Sequence, residues 1–202
     1  MKATVNRINQ WARLVPTWLV YVLYLIPAPW LLYQALTGGL GPDPVKPLEH
    51  ELGEIALQLL IIGLTITPLR RSFGLNLLKF RRTIGVLAFT YVILHLLTWA
   101  FLDVQTLGGV WADILKRPYI TIGMAGFLCL VPLAATSNNW SVRRLGTRWR
   151  TLHKLTYAAV ILGGLHYIWL VKGIQIEPLI YMAVILALLS LRLPLFARHR
   201  RS

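Results

Sequence analysis

The sequence predicts an all-α integral membrane protein of six transmembrane helices, with both termini on the cytoplasmic side. Three observations predict it. Of 202 residues, 56% are hydrophobic and 14% charged, with a mean hydropathy of +0.61, whereas a soluble domain carries about a quarter charged residues. Six apolar runs approach the roughly 20 residues that cross about 30 Å of hydrocarbon as a helix. Basic residues gather in alternate connections between those runs, so one face of the bundle is strongly positive.

The runs cover residues 18–36, 52–69, 83–101, 119–136, 152–171 and 178–195. The first follows Lys2, Arg7 and Arg13 but is too long for a signal peptide and lacks a small-residue cleavage site, so it is expected to stay in the mature chain. Pro27 and Pro29 interrupt it and predict a kink, because each removes a helical donor. The second run is followed by Arg70, Arg71, Lys79, Arg81 and Arg82, and the fourth by Arg143, Arg144, Arg148, Arg150 and Lys154. Arg192, Arg198, Arg200 and Arg201 lie at the end of the sixth, leaving Lys46, Lys116, Arg117 and Lys172 for the opposite face. The positive-inside rule then places both termini in the cytoplasm. The opposite connections carry Asp43, Glu49, Glu51, Asp103, Asp113 and Glu177.

This distribution accounts for the formal charge of +14 with membrane lipid, rather than nucleic acid, as the surrounding partner. Strand-like alternation is absent, which argues against a barrel. The connections are short enough to predict a single transmembrane domain over 1–202 with no soluble domain. No Gly-rich nucleotide fingerprint, Walker motif or HExxH occurs.

Two histidines lie inside apolar runs: His95 in TIGVLAFTYVILHLLTWAF and His166 in LTYAAVILGGLHYIWLV. An ionisable ring in hydrocarbon is a functional-site hypothesis by default. His95 stands 12 residues beyond Thr83, about 18 Å along the axis, and His166 lies a similar distance beyond Leu152 and Lys154. Both fall in the outer half of the bilayer, on helices that point the same way. Two such imidazoles can ligate one metal from opposite sides. A bare zinc ion normally takes four ligands, and the runs offer no thiolate, carboxylate or third histidine nearby, whereas haem iron needs two axial ligands. There is no CxxCH and Cys129 is alone, so the expected haem is b-type, held without covalent attachment.

Each of these residues also has a plainer reading. Either histidine can simply hydrogen-bond across a helix interface. Gly85, Gly123, Gly126, Gly163 and Gly164 can clear a flat macrocycle or only allow close helix packing. Trp18, Trp99, Trp111, Trp140 and Trp149 mostly read as interfacial anchors, and His50 and His199 as solvated. His153 precedes His166 by 13 residues, about 20 Å, a separation that suits a second, inner haem. On a regular helix the two rings stand about 140° apart, so both face one partner helix only with a distortion, such as a bulge near Gly163 and Gly164. Thirteen residues before His95 stands Arg82, not histidine, so an inner bis-histidine site lacks a ligand.

The segments ITPLRRSFGLNLLKFRRTIGVLAFTYVILHLLTWAFLD, RPYITIGMAGFLCLVPLAATSNNWSVRRLGTRW and LHKLTYAAVILGGLHYIWLVK resemble the MsrQ branch of the ferric-reductase-like transmembrane superfamily, over about residues 8 to 198. The resemblance implies a ferric-reductase-like haem-binding bundle in the bacterial inner membrane. It implies electron relay from the quinone pool to MsrP, a periplasmic molybdopterin enzyme that reduces methionine sulfoxide in proteins, with the sulfoxide chemistry carried by that partner. His95 and His166 match the family's haem-ligand positions, and His153 matches a third histidine implicated in haem binding. Arg82 departs from the superfamily pattern of two histidines on each of two helices. FMN is also associated with the family, with a cytoplasmic flavin reductase as a further partner, and Arg81, Arg82, Arg148, Arg150 and His153 could hold a phosphate. Three other readings stay open: a quinone-linked cytochrome with another acceptor, a ferric-reductase-like protein, and a transporter or scaffold without haem.

Overall fold

The structure is a computed structural model, and it describes residues 2–171 and 173–192. Every regular element among these is helical.

Helix α1 (Lys2–Leu14) is amphipathic and is followed by Pro16, which starts the next helix. Asn9 anchors it: its amide donates to the Gly74 carbonyl at 3.0 Å, and its oxygen accepts from the Asn76 N–H at 2.8 Å. The first apolar run forms two helices, α2 (Thr17–Leu25) and α3 (Pro27–Thr37), separated at Ile26. This is the kink expected from Pro27 and Pro29. Tyr91, fully buried, donates its hydroxyl to the Tyr24 carbonyl beside the break at 2.7 Å.

Helix α4 (Val45–Phe73) overruns the expected 52–69 at both ends and stops at Gly74, whose φ of 74° admits a left-handed cap. A 3₁₀ turn (Leu78–Phe80) leads into α5 (Arg81–Leu97), which continues as π-helix over Thr98–Val104. Helix α6 (Leu107–Lys116) starts where Thr106 caps the Gly109 N–H. Helix α7 (Pro118–Ala135) begins on a proline, tolerated there because a first-turn N–H has no helical partner to lose. Two short helices, α8 (Asn139–Leu145) and α9 (Thr147–Leu152), lead back to α10 (Leu155–Leu170), and α11 (Ile176–Ser190) follows.

Four rods among the described residues are long and apolar enough to cross a membrane: 17–37, 45–73, 78–104 and 118–135. The shorter α10 and α11 have 16 and 15 residues. The expected sixth run extends to 195, and its last residues lie outside the described ones, as do Lys172, Arg198, His199, Arg200 and Arg201.

Helix α4 packs along α5, and α7 along α10. The core between them is apolar: Leu59, Leu64, Ile66, Leu87, Ala88, Tyr91 and Val160 are almost fully buried. Large apolar residues such as Trp18, Leu36, Leu128 and Leu186 are exposed, as a lipid-facing surface requires. Contacts between distant helices fix the directions. His95 near the end of α5 meets Glu49 near the start of α4, and Arg192 beyond α11 meets Leu64 in the second half of α4. One end of the bundle therefore carries Asp43, Glu49, Glu51, Glu54, Asp103, Asp113 and Glu177, which are all the acidic side chains of the chain. The other end carries the arginine clusters.

The fifth run differs from its expected form in two ways. Helix α10 starts at Leu155 rather than near Leu152, after a turn at His153 and Lys154, and it is regular through Gly163 and Gly164 with no bulge. His153 and His166 thus do not share one regular helix, and the change of direction occurs at the turn.

Candidate functional site

His95 on α5 and His166 on α10 come together near the acidic end of the bundle. Their ring centres are 6.2 Å apart and their planes cross at 80°. His95 Nδ1 lies 2.9 Å from the Glu49 carbonyl on α4, and His166 Nδ1 lies 2.7 Å from the Tyr119 carbonyl on α7. A carbonyl oxygen only accepts, so each Nδ1 carries the proton and donates it. Each Nε2 is left with a free lone pair. This is the tautomer a metal-ligating histidine needs, oriented by a backbone carbonyl as such ligands usually are.

A glycine completes each cradle, four residues after the carbonyl and on the same helix face. Gly53 follows Glu49, and Gly123 follows Tyr119. A Cβ added at Gly53 would lie 3.0 Å from His95 Nδ1, and one at Gly123 would lie 2.8 Å from His166 Nδ1. The absence of a side chain lets each ring press against the neighbouring helix. A side chain at Gly123 would therefore press on the His166 ring. Gly163 and Gly164 serve packing: a Cβ there would meet Leu57 and Met182 respectively.

The pair fits the haem iron that the sequence suggests. Two imidazoles on opposite sides of one metal, with metal–nitrogen bonds of about 2 Å, place their ring centres roughly 6 Å apart. Among the described residues, no three His, Cys, Asp or Glu side chains cluster, so a bare metal finds no ligand set. Trp99, one turn beyond His95, is buried and its indole N–H has no hydrogen-bond partner among the described residues. It is therefore not the interfacial anchor expected from sequence. An unpaired buried N–H costs about 1–3 kcal/mol, which an acceptor on a bound group would relieve.

His153 and Arg82 lie apart from this pair, at the arginine-rich end. Both line a cavity of about 370 Å³ that also includes Gly85, Phe89, Leu133 and Trp149. His153 stacks on Trp149 at 3.8 Å between ring centres. Its Nε2 lies 3.1 Å from the Thr136 hydroxyl, which itself donates to the Pro132 carbonyl at 2.6 Å. The hydroxyl proton being committed, His153 Nε2 must be the donor to Thr136. This is the opposite tautomer from His95 and His166. In its turn outside the membrane-spanning rods, burial and then the positive charges of Arg81 and Arg82 hold the His153 imidazole below its ordinary range. Arg82 donates to Asn139 Oδ1 at 2.7 Å, and Trp149 donates to the Thr136 carbonyl at 2.9 Å. The five residues grouped in sequence as phosphate donors therefore divide. Arg82 and His153 face this cavity, Arg150 an open cleft beside it, Arg81 both, and Arg148 neither.

Residues 50–164 match the family described as "Ferric reductase like transmembrane component". A protein of Agrobacterium fabrum is 51% identical over 177 residues, covering 87% of this chain and 82% of its own length; its name is "Protein-methionine-sulfoxide reductase heme-binding subunit MsrQ". The chain belongs to the MsrQ family. Proteins of the same name from Brucella anthropi and Brucella ovis are 48% and 47% identical, covering 87% and 95% of this chain and 80% and 86% of their own lengths. No solved structure matches.

In this MsrQ-family chain the histidines are legible in sequence and their supports are not. Gly53 and the carbonyls of Glu49 and Tyr119 give no sequence signal, because a backbone acceptor has no residue-type signature. A glycine in a helix at the depth of a buried histidine is the available hint. His50, expected to be solvated in a loop, is exposed but sits within α4.

Proposed function

We propose that this chain is a membrane b-type cytochrome of the bacterial inner membrane, crossing it six times with both termini inside. It relays electrons from the quinone pool, directly or by way of FMN, to a periplasmic MsrP-type molybdoenzyme that repairs oxidised methionine in proteins. The observation that carries this reading is the pair of imidazoles 6.2 Å apart, each with Nδ1 tied to a carbonyl and Nε2 free. The names of the relatives, which speak of a haem-binding subunit, support it.

In this reading His95 and His166 are the residues that would hold the haem iron. The haem, when bound, would supply a one-electron couple, and two histidines holding its iron would suit it to transfer rather than oxygen activation. The Glu49 and Tyr119 carbonyls hold the Nδ1 protons and so raise the basicity of the ligating nitrogens. Nearness to the acidic end shortens the path to a periplasmic partner. His153 and Arg82, together in the second cavity, are the residues toward which an inner haem or a flavin phosphate would be directed.

A visible spectrum of the purified, reduced protein tests the reading. It should show b-type bands that vanish in His95→Ala and in His166→Ala and only weaken in His153→Ala. An unchanged spectrum in His95→Ala would sink the assignment. Reduction of an MsrP-type enzyme by the quinol-reduced protein tests the acceptor.

A further inference from the structure

We propose that the arginine-rich end of the bundle holds a binding site for a phosphate group, separate from the histidine pair. The site is a cleft of about 770 Å³ where α4 ends, α5 begins and α9 passes, lined by Thr67, Arg70, Arg71, Leu78, Arg81 and Arg150. Arg70, Arg81 and Arg150 approach it from three different helices. No aspartate or glutamate side chain stands near to neutralise them, because all seven lie at the other end.

A further cation lies within electrostatic range of Arg81 on the cleft wall. Pro68 lacks the N–H that would otherwise bond the Leu64 carbonyl one turn earlier. Arg192 supplies the missing donor through Nη2 at 2.6 Å, and its Nη1 donates to the Tyr157 hydroxyl at 2.9 Å. The proline thus draws a guanidinium into the bundle, with its carbon centre 5.2 Å from the Tyr157 ring centre. Its Nε is buried and has no partner among the described residues. Arg192 lies within electrostatic range of Arg81, so the fold holds like charges together. An anion in the cleft offsets that repulsion.

The donor set selects the anion. Guanidinium forks match the oxygens of a phosphate and bind them by paired, charge-assisted hydrogen bonds. Basic pockets between membrane helices receive phospholipid head groups. Leu78 on the cleft wall presents apolar surface beside the charges, as the start of an acyl chain requires. A phosphodiester of an anionic lipid and a soluble phosphate share this chemistry. The experiment separates them.

Full-length protein in detergent is offered phosphatidylglycerol, phosphatidylcholine or inorganic phosphate, with native mass spectrometry and thermal midpoint as readouts. A lipid source gives retention of phosphatidylglycerol over phosphatidylcholine, weakened about fivefold for each arginine removed in Arg81→Gln/Arg150→Gln. A soluble source gives stabilisation by inorganic phosphate in the native sequence, absent in that variant, with no preference between lipids. The charge-matched Arg7→Gln/Arg143→Gln, outside the cleft, keeps binding in either case. If the double variant does not fold, Arg70→Gln on the exposed rim makes the same comparison. Equal loss in the charge-matched control, or neither ligand bound above phosphatidylcholine, would overturn the proposal.

Discussion

At the scale of single residues, the site depends on side chains that are missing. Gly53 and Gly123 give His95 and His166 their resting places, so adding one methyl group should displace a ring without touching a ligand. Gly123→Ala and Gly53→Ala are expected to lose haem relative to chain and to lower stability by about 1–3 kcal/mol, as overpacked sites do. Gly108→Ala, where a Cβ would meet nothing within 4 Å, should retain the full complement. Pyridine haemochrome analysis of the three variants decides the point, and equal retention in all three would contradict the cradle. The two histidines are visible in sequence because a polar residue stands out in an apolar run. Gly53 is not, since its meaning appears only when a ring from another helix leans on it.

At the scale of elements, two prolines are answered in different ways. Pro27 divides the first rod, and Tyr91 bonds the backbone beside the division. Pro68 leaves α4 continuous, because Arg192 takes up the carbonyl it frees. Replacing Pro68 by alanine restores the N–H, so Arg192 should then matter less. Arg192→Met is expected to cost about 1–3 kcal/mol in the native sequence, as lost charged hydrogen bonds do, and clearly less in a Pro68→Ala background. A double-mutant cycle on thermal or denaturant unfolding measures the coupling, and strict additivity would refute it. Hydropathy locates the four long rods but places their ends poorly. Lys46, Glu49, Glu51 and Glu54 interrupt the apolar pattern at the start of α4, yet the helix extends through them, since hydropathy reports the surrounding solvent and not the backbone. The turn at His153 is hidden for the opposite reason, there being no proline to announce it.

At the scale of the whole molecule, the separation of charge predicts how the chain sits in its membrane. In a Cys129→Ser background, Gly108→Cys should react with an impermeant maleimide in cells whose outer membrane is permeabilised, and Arg143→Cys only after the inner membrane is opened. The reverse pattern would invert the proposed orientation and move the histidine pair to the wrong side for a periplasmic acceptor. The pairing of His95 with His166 has a mechanical consequence as well. Each Nδ1 bond runs between helices, pinning α5 to α4 and α10 to α7. An iron atom gripped by both rings would act as a rivet between two hairpins, so cofactor loading should slow amide hydrogen exchange along α4 and α7, helices that supply no ligand of their own.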